Sequence, residues 1–297
     1  MTQGNAVNMS GMGAITIWFF VPLTLALIGH VPPFLLGAFA NLVAFTSVCL
    51  WWFYKGESLT GKFRMMPKAY LMGIFGFTLY NTLFVYAMKT GPLLEVSLLN
   101  FTWPAFLIVF SAFVQKMKPD AYALTGIVLC FTGAVFVFAS RGALSFGSSH
   151  VQLLIGLLCG LIWGVYSTLL KRIPIRSDQV AVFFLTTGVT MLTLHLLFEP
   201  TIWPATVLSW GLLLVFAFSR MAYMMWNYAM KHGSARVVGS LSYFIPLVST
   251  TLLATAGFAR YSPYLALGAG LIITGCLTIN FKAIAGNASL ALRRMRA

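Results

Sequence analysis

Acidic side chains are nearly absent from this chain: its 297 residues include five, Glu57, Glu95, Asp120, Asp178 and Glu199. Lys and Arg number 19, so charged residues total 8%, where a soluble domain carries roughly a quarter. Hydrophobic residues make up 60% of the chain and mean hydropathy is +0.89. Only a protein whose solvent is lipid can dispense with charge to this degree. The shortage of acids excludes paired catalytic carboxylates. It also argues against proton or sodium coupling, because coupled carriers commonly place carboxylates mid-membrane. Glu57, Asp120 and Asp178 fall in connections, and Glu199 ends an apolar run. Only Glu95 stands where it could enter a pathway. The expectation is movement down the substrate gradient with weak or no ion coupling.

Other absences narrow the class further. The chain has no nucleophile elbow and no P-loop, so no enzyme activity and no cofactor are expected. His195 and Glu199 are four apart, as a metal pair on one helix face could be, but they lack a third ligand; no metal site is expected. Four cysteines, Cys49, Cys130, Cys159 and Cys276, all lie inside apolar runs without metal-ligand spacing, which reads as small buried hydrophobes. The first dozen residues hold no Lys or Arg, unlike a cleavable signal peptide, so the first apolar run is expected to remain as a helix. The net charge of +14 is spread over the connections between apolar runs. That pattern reflects membrane orientation rather than nucleic-acid binding.

What the chain does have is an internal copy. Residues 86–104 read YAMKTGPLLEVSLLNFTWP, and residues 228–246 read YAMKHGSARVVGSLSYFIP, a gapless offset of 142. Tyr86, Ala87, Met88, Lys89, Gly91, Val96, Leu99 and Pro104 return as Tyr228, Ala229, Met230, Lys231, Gly233, Val238, Leu241 and Pro246. The same offset carries Gly126 to Gly268 and Gly133 to Gly275. A half-length repeat in an apolar chain marks transporters that place a substrate site between two halves able to rock against each other.

Ten runs of about 20 apolar residues, the length of a span, are predicted at 13–30, 34–54, 69–88, 92–115, 121–140, 151–171, 179–198, 209–230, 234–256 and 262–282. With the N-terminus inside, the inner segments hold Lys55, Lys62, Arg64, Lys68, Lys116, Lys118, Lys171, Arg172, Arg176, Lys231, Arg236, Lys282, Arg293, Arg294 and Arg296. The outer connections hold Lys89, Arg141 and Arg260. The positive-inside rule then puts both termini in the cytoplasm. Five helices per half is an odd number, so the second half enters the membrane upside down. The expected fold is an all-α polytopic membrane protein of ten transmembrane helices. It divides into inverted five-helix repeats, residues 1–145 and 146–297, that form one membrane unit. It carries its own two-fold symmetry, so a monomer suffices for a pathway, with lipid as its surroundings.

Polar stripes mark where that pathway should run. The third span carries Thr78, Asn81 and Thr82 on one face, and the offset maps these to Arg220, Tyr223 and Met224, with Asn227 one turn on. The fourth span carries Ser97, Asn100, Phe101 and Pro104, which map to Gly239, Ser242, Tyr243 and Pro246. Such stripes turn inward, either to a wet cavity or merely to hydrogen-bond a neighbouring helix. Pro104 and Pro246 stand near mid-span, where each removes a backbone donor; they are candidate hinges, or fixed bends. Arg220 is a cation deep in an apolar run, a candidate for pairing with a substrate carboxylate. The sixth span holds Gly156, Gly160 and Gly164, which permit close helix approach, with Trp163, Tyr166 and Ser167 beside them. Trp163 is a candidate cavity aromatic. Trp51, Trp52, Trp203 and Trp210, at span ends, read as interface residues.

Ten spans, an inverted repeat and Trp163-Gly164 followed seven residues later by Lys171 resemble the drug/metabolite transporter superfamily, in its EamA-like branch. The first half departs at its own opening: Trp18 is present, but no Gly or Lys follows at the matching places. The resemblance spans nearly the whole chain and is strongest to the bacterial members that export aromatic amino acids. It implies export of aromatic and other neutral amino acids from the cytoplasm across the inner membrane. A zwitterion with a large side chain would use Arg220 for its carboxylate. The carbonyls of Asn81, Asn100 and Asn227 would take its ammonium, and Trp163, Phe101, Tyr223 and Tyr243 would form an apolar wall. The competing readings are a broad drug or metabolite exporter, a nucleotide-sugar exchanger and, in another class, a lipid-modifying membrane enzyme or scaffold. A nucleotide sugar would want a cluster of Lys and Arg in the cavity.

Overall fold

The structure, a computed structural model, describes residues 3–29, 31–91, 96, 99–114, 116, 119–139, 150–233, 238–239, 241–257 and 263–296. Among these residues every regular element is a helix: α1 (Gln3–Ile28), α2 (Pro33–Tyr54), α3 (Leu59–Phe63), α4 (Pro67–Met72), α5 (Leu79–Thr90), α6 (Trp103–Val114), α7 (Ala121–Ala139), α8 (His150–Leu169), α9 (Val180–Phe198), α10 (Val207–Phe218), α11 (Ala222–His232), α12 (Phe244–Thr255) and α13 (Pro263–Arg296). In hydrocarbon each backbone polar group must bond within its own segment, which leaves the helix as the economical form. Among the described residues six helical stretches are long and apolar enough to cross a membrane: Val7–Ile28, Pro33–Tyr54, Pro67–Thr90, His150–Leu169, Ser177–Phe198 and Val207–His232. Shorter apolar helices cover Trp103–Val114, Ala121–Phe136, Phe244–Thr255 and Pro263–Ile279. The first helix starts ten residues before its expected place, and the last continues to Arg296.

The offset of 142 carries α1, α2, α5, α6 and α7 onto α8, α9, α11, α12 and α13 within a few residues. It also carries their defects. A π-helical turn, Gly73–Thr78, joins α4 to α5, and a 3-10 turn, Ser219–Met221, joins α10 to α11. The glycines of the π turn admit close neighbours, since a Cβ on Gly76 would stand 2.6 Å from the Tyr166 ring. The expected fourth and ninth spans, 92–115 and 234–256, are not continuous where they are described. Turn residues 101–102 and 242–243 interrupt them, and the helix restarts at Trp103 and at Phe244. Pro104 and Pro246 therefore occupy first turns, where a missing N–H has no intrahelical acceptor to lose.

Equivalent helices pair with each other, α2 with α9 and α7 with α13, and they run antiparallel. A Cβ on Gly126 would stand 2.7 Å from the Gly275 carbonyl oxygen, and one on Gly133 would stand 2.8 Å from that of Gly268. Between them the Cys130 thiol faces the carbonyl of Ile272, its own repeat mate, at 3.6 Å. Lipid tails are as apolar as leucine, so close van der Waals approach of this kind takes the place of the hydrophobic effect in holding spans together. Six of the remaining helices form two mixed bundles. In one, α5 and α6 of the first half pack on α8 of the second; in the other, α11 and α12 pack on α1. The glycine ladder of α8 makes the first bundle tight, since Cβ atoms on Gly156, Gly160 and Gly164 would stand 2.9, 3.0 and 3.1 Å from the carbonyls of Val96, Asn100 and Trp103.

Carboxylates fasten the α2–α9 pair at both ends. At one end Lys62 is buried between Glu57 and Asp178, with Arg176 beside both acids. At the other, Glu199 accepts from the N–H groups of Phe34 and Leu35 at the start of α2, at 3.0 and 3.1 Å, and pairs with His195 at 3.0 Å. Glu57 and Glu199 are repeat mates. No cluster of metal-ligating side chains occurs among the described residues. Trp52 is not an interface residue, because its buried indole donates to Asp178 at 3.1 Å. Trp51, Trp203 and Trp210 are exposed as expected.

Candidate functional site

The two bundles face each other across a cavity of about 110 Å³, room for several waters or part of a small ligand. One wall is Tyr80, Phe84, Val85, Met88 and Lys89 of α5 with Asn100, Phe101, Trp103 and Trp163. The other is Trp18, Val21, Pro22 and Leu25 of α1 with Phe216, Arg220, Tyr223 and Ile245. Pro22 sits inside α1 and supplies no donor to the helix.

Aromatic rings make the floor. Trp163 stacks on Tyr80 and Tyr166, with centroids at 4.8 and 5.0 Å, and meets Tyr223 edge-on at 5.3 Å. Trp18 lies 5.4 Å from Tyr223 and 5.3 Å from Trp226. Offset and edge-on pairs at such spacings are the favoured aromatic geometries. They give the floor a fixed, closely packed aromatic shape.

Arg220 is the buried charge in this surface. It is 6% exposed, sits in the 3-10 turn, and places its guanidinium 4.3 Å from the Phe216 ring centroid and 5.3 Å from that of Tyr223. Its hydrogen-bond partner is neutral: Nη1 donates to Asn81 Oδ1 at 3.3 Å. No described carboxylate pairs with it, and Nε makes no hydrogen bond among the described residues. The same Asn81 Oδ1 accepts from the Tyr223 hydroxyl at 3.0 Å. Asn81 and Tyr223 are repeat mates at the offset of 142, bonded to each other beside the cavity. Across the cavity, Asn100 is 5% exposed and its Oδ1 also lacks a partner. A buried donor and a buried acceptor, on two residues that line one cavity, are thus left without hydrogen-bond partners among the described residues. Leaving such groups unsatisfied costs about 1–3 kcal/mol each.

The bundles close below the floor. Asn227 donates to the Tyr166 hydroxyl at 2.9 Å, the Trp226 indole donates to Ser167 at 3.0 Å, and Lys171 donates to the Gly233 carbonyl at 2.9 Å. Each bond joins α8 or its end to α11 or its end. Lys231 reaches the Ile175 carbonyl at 2.5 Å. At the opposite end Lys89 donates to the Gly29 carbonyl at 2.9 Å, at the cavity mouth.

Of the residues singled out from sequence, Asn100, Phe101, Trp163, Arg220 and Tyr223 line the cavity, and Asn81 holds two of them from behind. Tyr166 and Asn227 bond each other in the closure. Thr78 turns away to Thr186 and Thr187 of α9, each at 3.0 Å. Ser242 bonds its own helix at the Gly239 carbonyl, and Tyr243 packs among Ile108, Cys130, Leu265, Ile272 and Cys276. Ser97 and Glu95 lie outside the described residues. Sequence reasoning missed Trp18, Tyr80, Phe84, Trp103, Phe216 and Lys89 as lining. The available signal was Lys89 itself, a repeated lysine at the end of a polar-striped helix.

Comparison with known proteins adds to this geometry. A model of the EamA-like transporter family matches residues 8–139 and 151–281, one match per repeat. The aromatic amino acid exporter YddG of Ancylobacter novellus is 31% identical over 278 residues, covering 91% of this chain and 96% of that protein. The pseudopaline exporter CntI of Pseudomonas aeruginosa is 26% identical over 220 residues, covering 72% and 75%. A solved crystal structure superposes with a TM-score of 0.84 at 30% identity, over 94% of this chain and 98% of that one.

Proposed function

The chain belongs to the EamA-like transporter family, and we propose that it exports aromatic and other neutral amino acids from the bacterial cytoplasm by alternating access. It is a multi-pass membrane transporter rather than an enzyme. In this reading all ten apolar segments cross the inner membrane as two inverted repeats with both termini cytoplasmic. The antiparallel pairing of equivalent helices supports the inversion, and the excess of Lys and Arg in one set of connections supports the orientation. The Lys231 end is then cytoplasmic, and the described conformation opens outward.

The observation that carries the substrate class is the pair of open polar groups in an aromatic cavity. Arg220 Nε offers a donor to a carboxylate, Asn100 Oδ1 accepts from an ammonium, and Trp163, Tyr80 and Trp18 line the space for an aromatic side chain. The cavity borders the repeat axis, where carriers built from repeats bind their substrates. Rocking of the α5–α6–α8 bundle against the α1–α11–α12 bundle would break the lower closure and shut the mouth, with the helix restarts at Pro104 and Pro246 as hinges. No described carboxylate lines the cavity, which favours facilitated over ion-coupled movement.

The test is uptake of labelled phenylalanine into liposomes holding the purified protein without an ion gradient. Saturable uptake that tryptophan inhibits is expected. Arg220→Lys keeps charge but loses the planar fork, and raises KM about tenfold or more. No uptake by folded, inserted protein would reject the amino acid reading and leave a broader metabolite exporter, a reading favoured by the similarity to CntI.

A further inference from the structure

Among the described residues the cavity lining carries one cation more than a zwitterion's single carboxylate would engage. Arg220 lines one wall and Lys89 the other, and no carboxylate lines it among the described residues. The described acids are engaged elsewhere: Glu57 and Asp178 with Lys62 and Arg176, Glu199 with His195 and the start of α2, and Asp120 with the N–H of Ala123 at 2.8 Å. Arg220 is held by a neutral carbonyl oxygen. Lys89 gives one hydrogen bond to the Gly29 carbonyl, and an ammonium has three to give. A neutral cargo would engage Arg220 and leave Lys89, at the mouth, without a carboxylate partner among the described residues.

We propose that the preferred cargo of this cavity is an amino acid derivative that carries a second carboxylate and a net negative charge. The proposal rests on the amino acid reading and narrows it. The first carboxylate takes Arg220, the ammonium takes Asn100 Oδ1, the apolar body lies on Tyr80, Phe84 and Trp163, and the second carboxylate takes Lys89 at the mouth. Spacing sets the chemistry. Arg220 meets α5 at Asn81, and Lys89 lies eight residues further along, about 12 Å at the helical rise. Lys89 stands at the cavity mouth with its ammonium on the Gly29 carbonyl. The two carboxylates are therefore separated by several bonds, as in an acidic dipeptide, and not by the short link of aspartate.

The experiment compares two isosteric dipeptides, Asp-Phe and Asn-Phe, as inhibitors of labelled phenylalanine uptake into proteoliposomes, with binding read in parallel from the fluorescence of the cavity tryptophans. For the native chain, Asp-Phe inhibits at least about tenfold more strongly than Asn-Phe, the worth of one added charge-assisted contact. In Lys89→Gln the ratio falls to near one, and in Lys89→Arg it persists. Size-exclusion profiles confirm that each variant is folded. Equal potency in the native protein overturns the proposal, as does a preference that survives Lys89→Gln; in either case phenylalanine uptake leaves the amino acid reading standing. If neither phenylalanine nor either dipeptide is transported or bound, the amino acid reading itself falls and takes the proposal with it.

Discussion

At the residue scale, function concentrates in a few polar atoms that the fold leaves open. Asn100→Leu removes the acceptor while keeping bulk, so KM for phenylalanine is expected to rise about tenfold, the worth of a charged hydrogen bond. Inhibition by 3-phenylpropionate, which has no amine, should change little. Competition assays on the two ligands check this, and an equal loss for both would remove Asn100 from the ammonium site. Arg220 and Asn81 were legible because a polar residue inside an apolar run always needs a reason. Trp18, Trp103 and Phe216 were not, because an aromatic residue in an apolar run looks the same whether it faces lipid or cavity. Thr78 was misleading for a physical reason. It ends the π-helical turn, whose extra residue offsets the register, so it leaves the face that Asn81 keeps and turns to α9.

At the element scale, the repeat made helix positions legible, since one offset carries five helices and even their interruptions onto five others. The breaks before Pro104 and Pro246 were legible only as proline, because nothing local distinguishes a kink from a restart. Two helix contacts can be tested. A side chain at Gly160 would press on the Asn100 and Leu99 carbonyls at 3.0 and 3.1 Å. Gly160→Val should therefore cost about 1–3 kcal/mol, as overpacking does, lower the melting temperature in detergent by several degrees, and impair transport through Asn100. Lys171 clips α8 to the end of α11 on the closed side. Its repeat mate is Gly29, which has no side chain to form the matching clip on the open side. Lys171→Ala removes a bond worth about 1 kcal/mol. Labelling of a cysteine placed at Ser167 by a thiol reagent supplied from the cytoplasmic side should then speed up severalfold. An unchanged rate would show that the aromatic and Asn227–Tyr166 contacts hold that side alone.

At the scale of the whole molecule, the scarcity of acids gives a plain expectation. A pH gradient imposed across proteoliposomes, with equal substrate on both sides, should produce no net accumulation of phenylalanine. Sustained accumulation would require a titrating group on the pathway and would overturn the facilitated mechanism. Three of the four described acids, Glu57, Asp178 and Glu199, are instead spent on joining α2 to α9, an arrangement that composition alone could not disclose because it depends on which helix ends meet. One feature of the symmetry reaches further. On a two-fold axis each position faces its own copy, so two identical halves could only set like against like: asparagine against asparagine, or tyrosine against tyrosine. Here Asn81 faces Tyr223, and a one-way bond runs from hydroxyl to carbonyl oxygen. A pair of separate, identical subunits would likewise have to bring two arginines to the centre or none. Fusing the halves into one chain freed the duplicates to diverge, with Thr78 on one side and Arg220 on the other. A cargo with a head and a tail needs a receptor that is not its own mirror, and a single gene holding both halves can encode that difference.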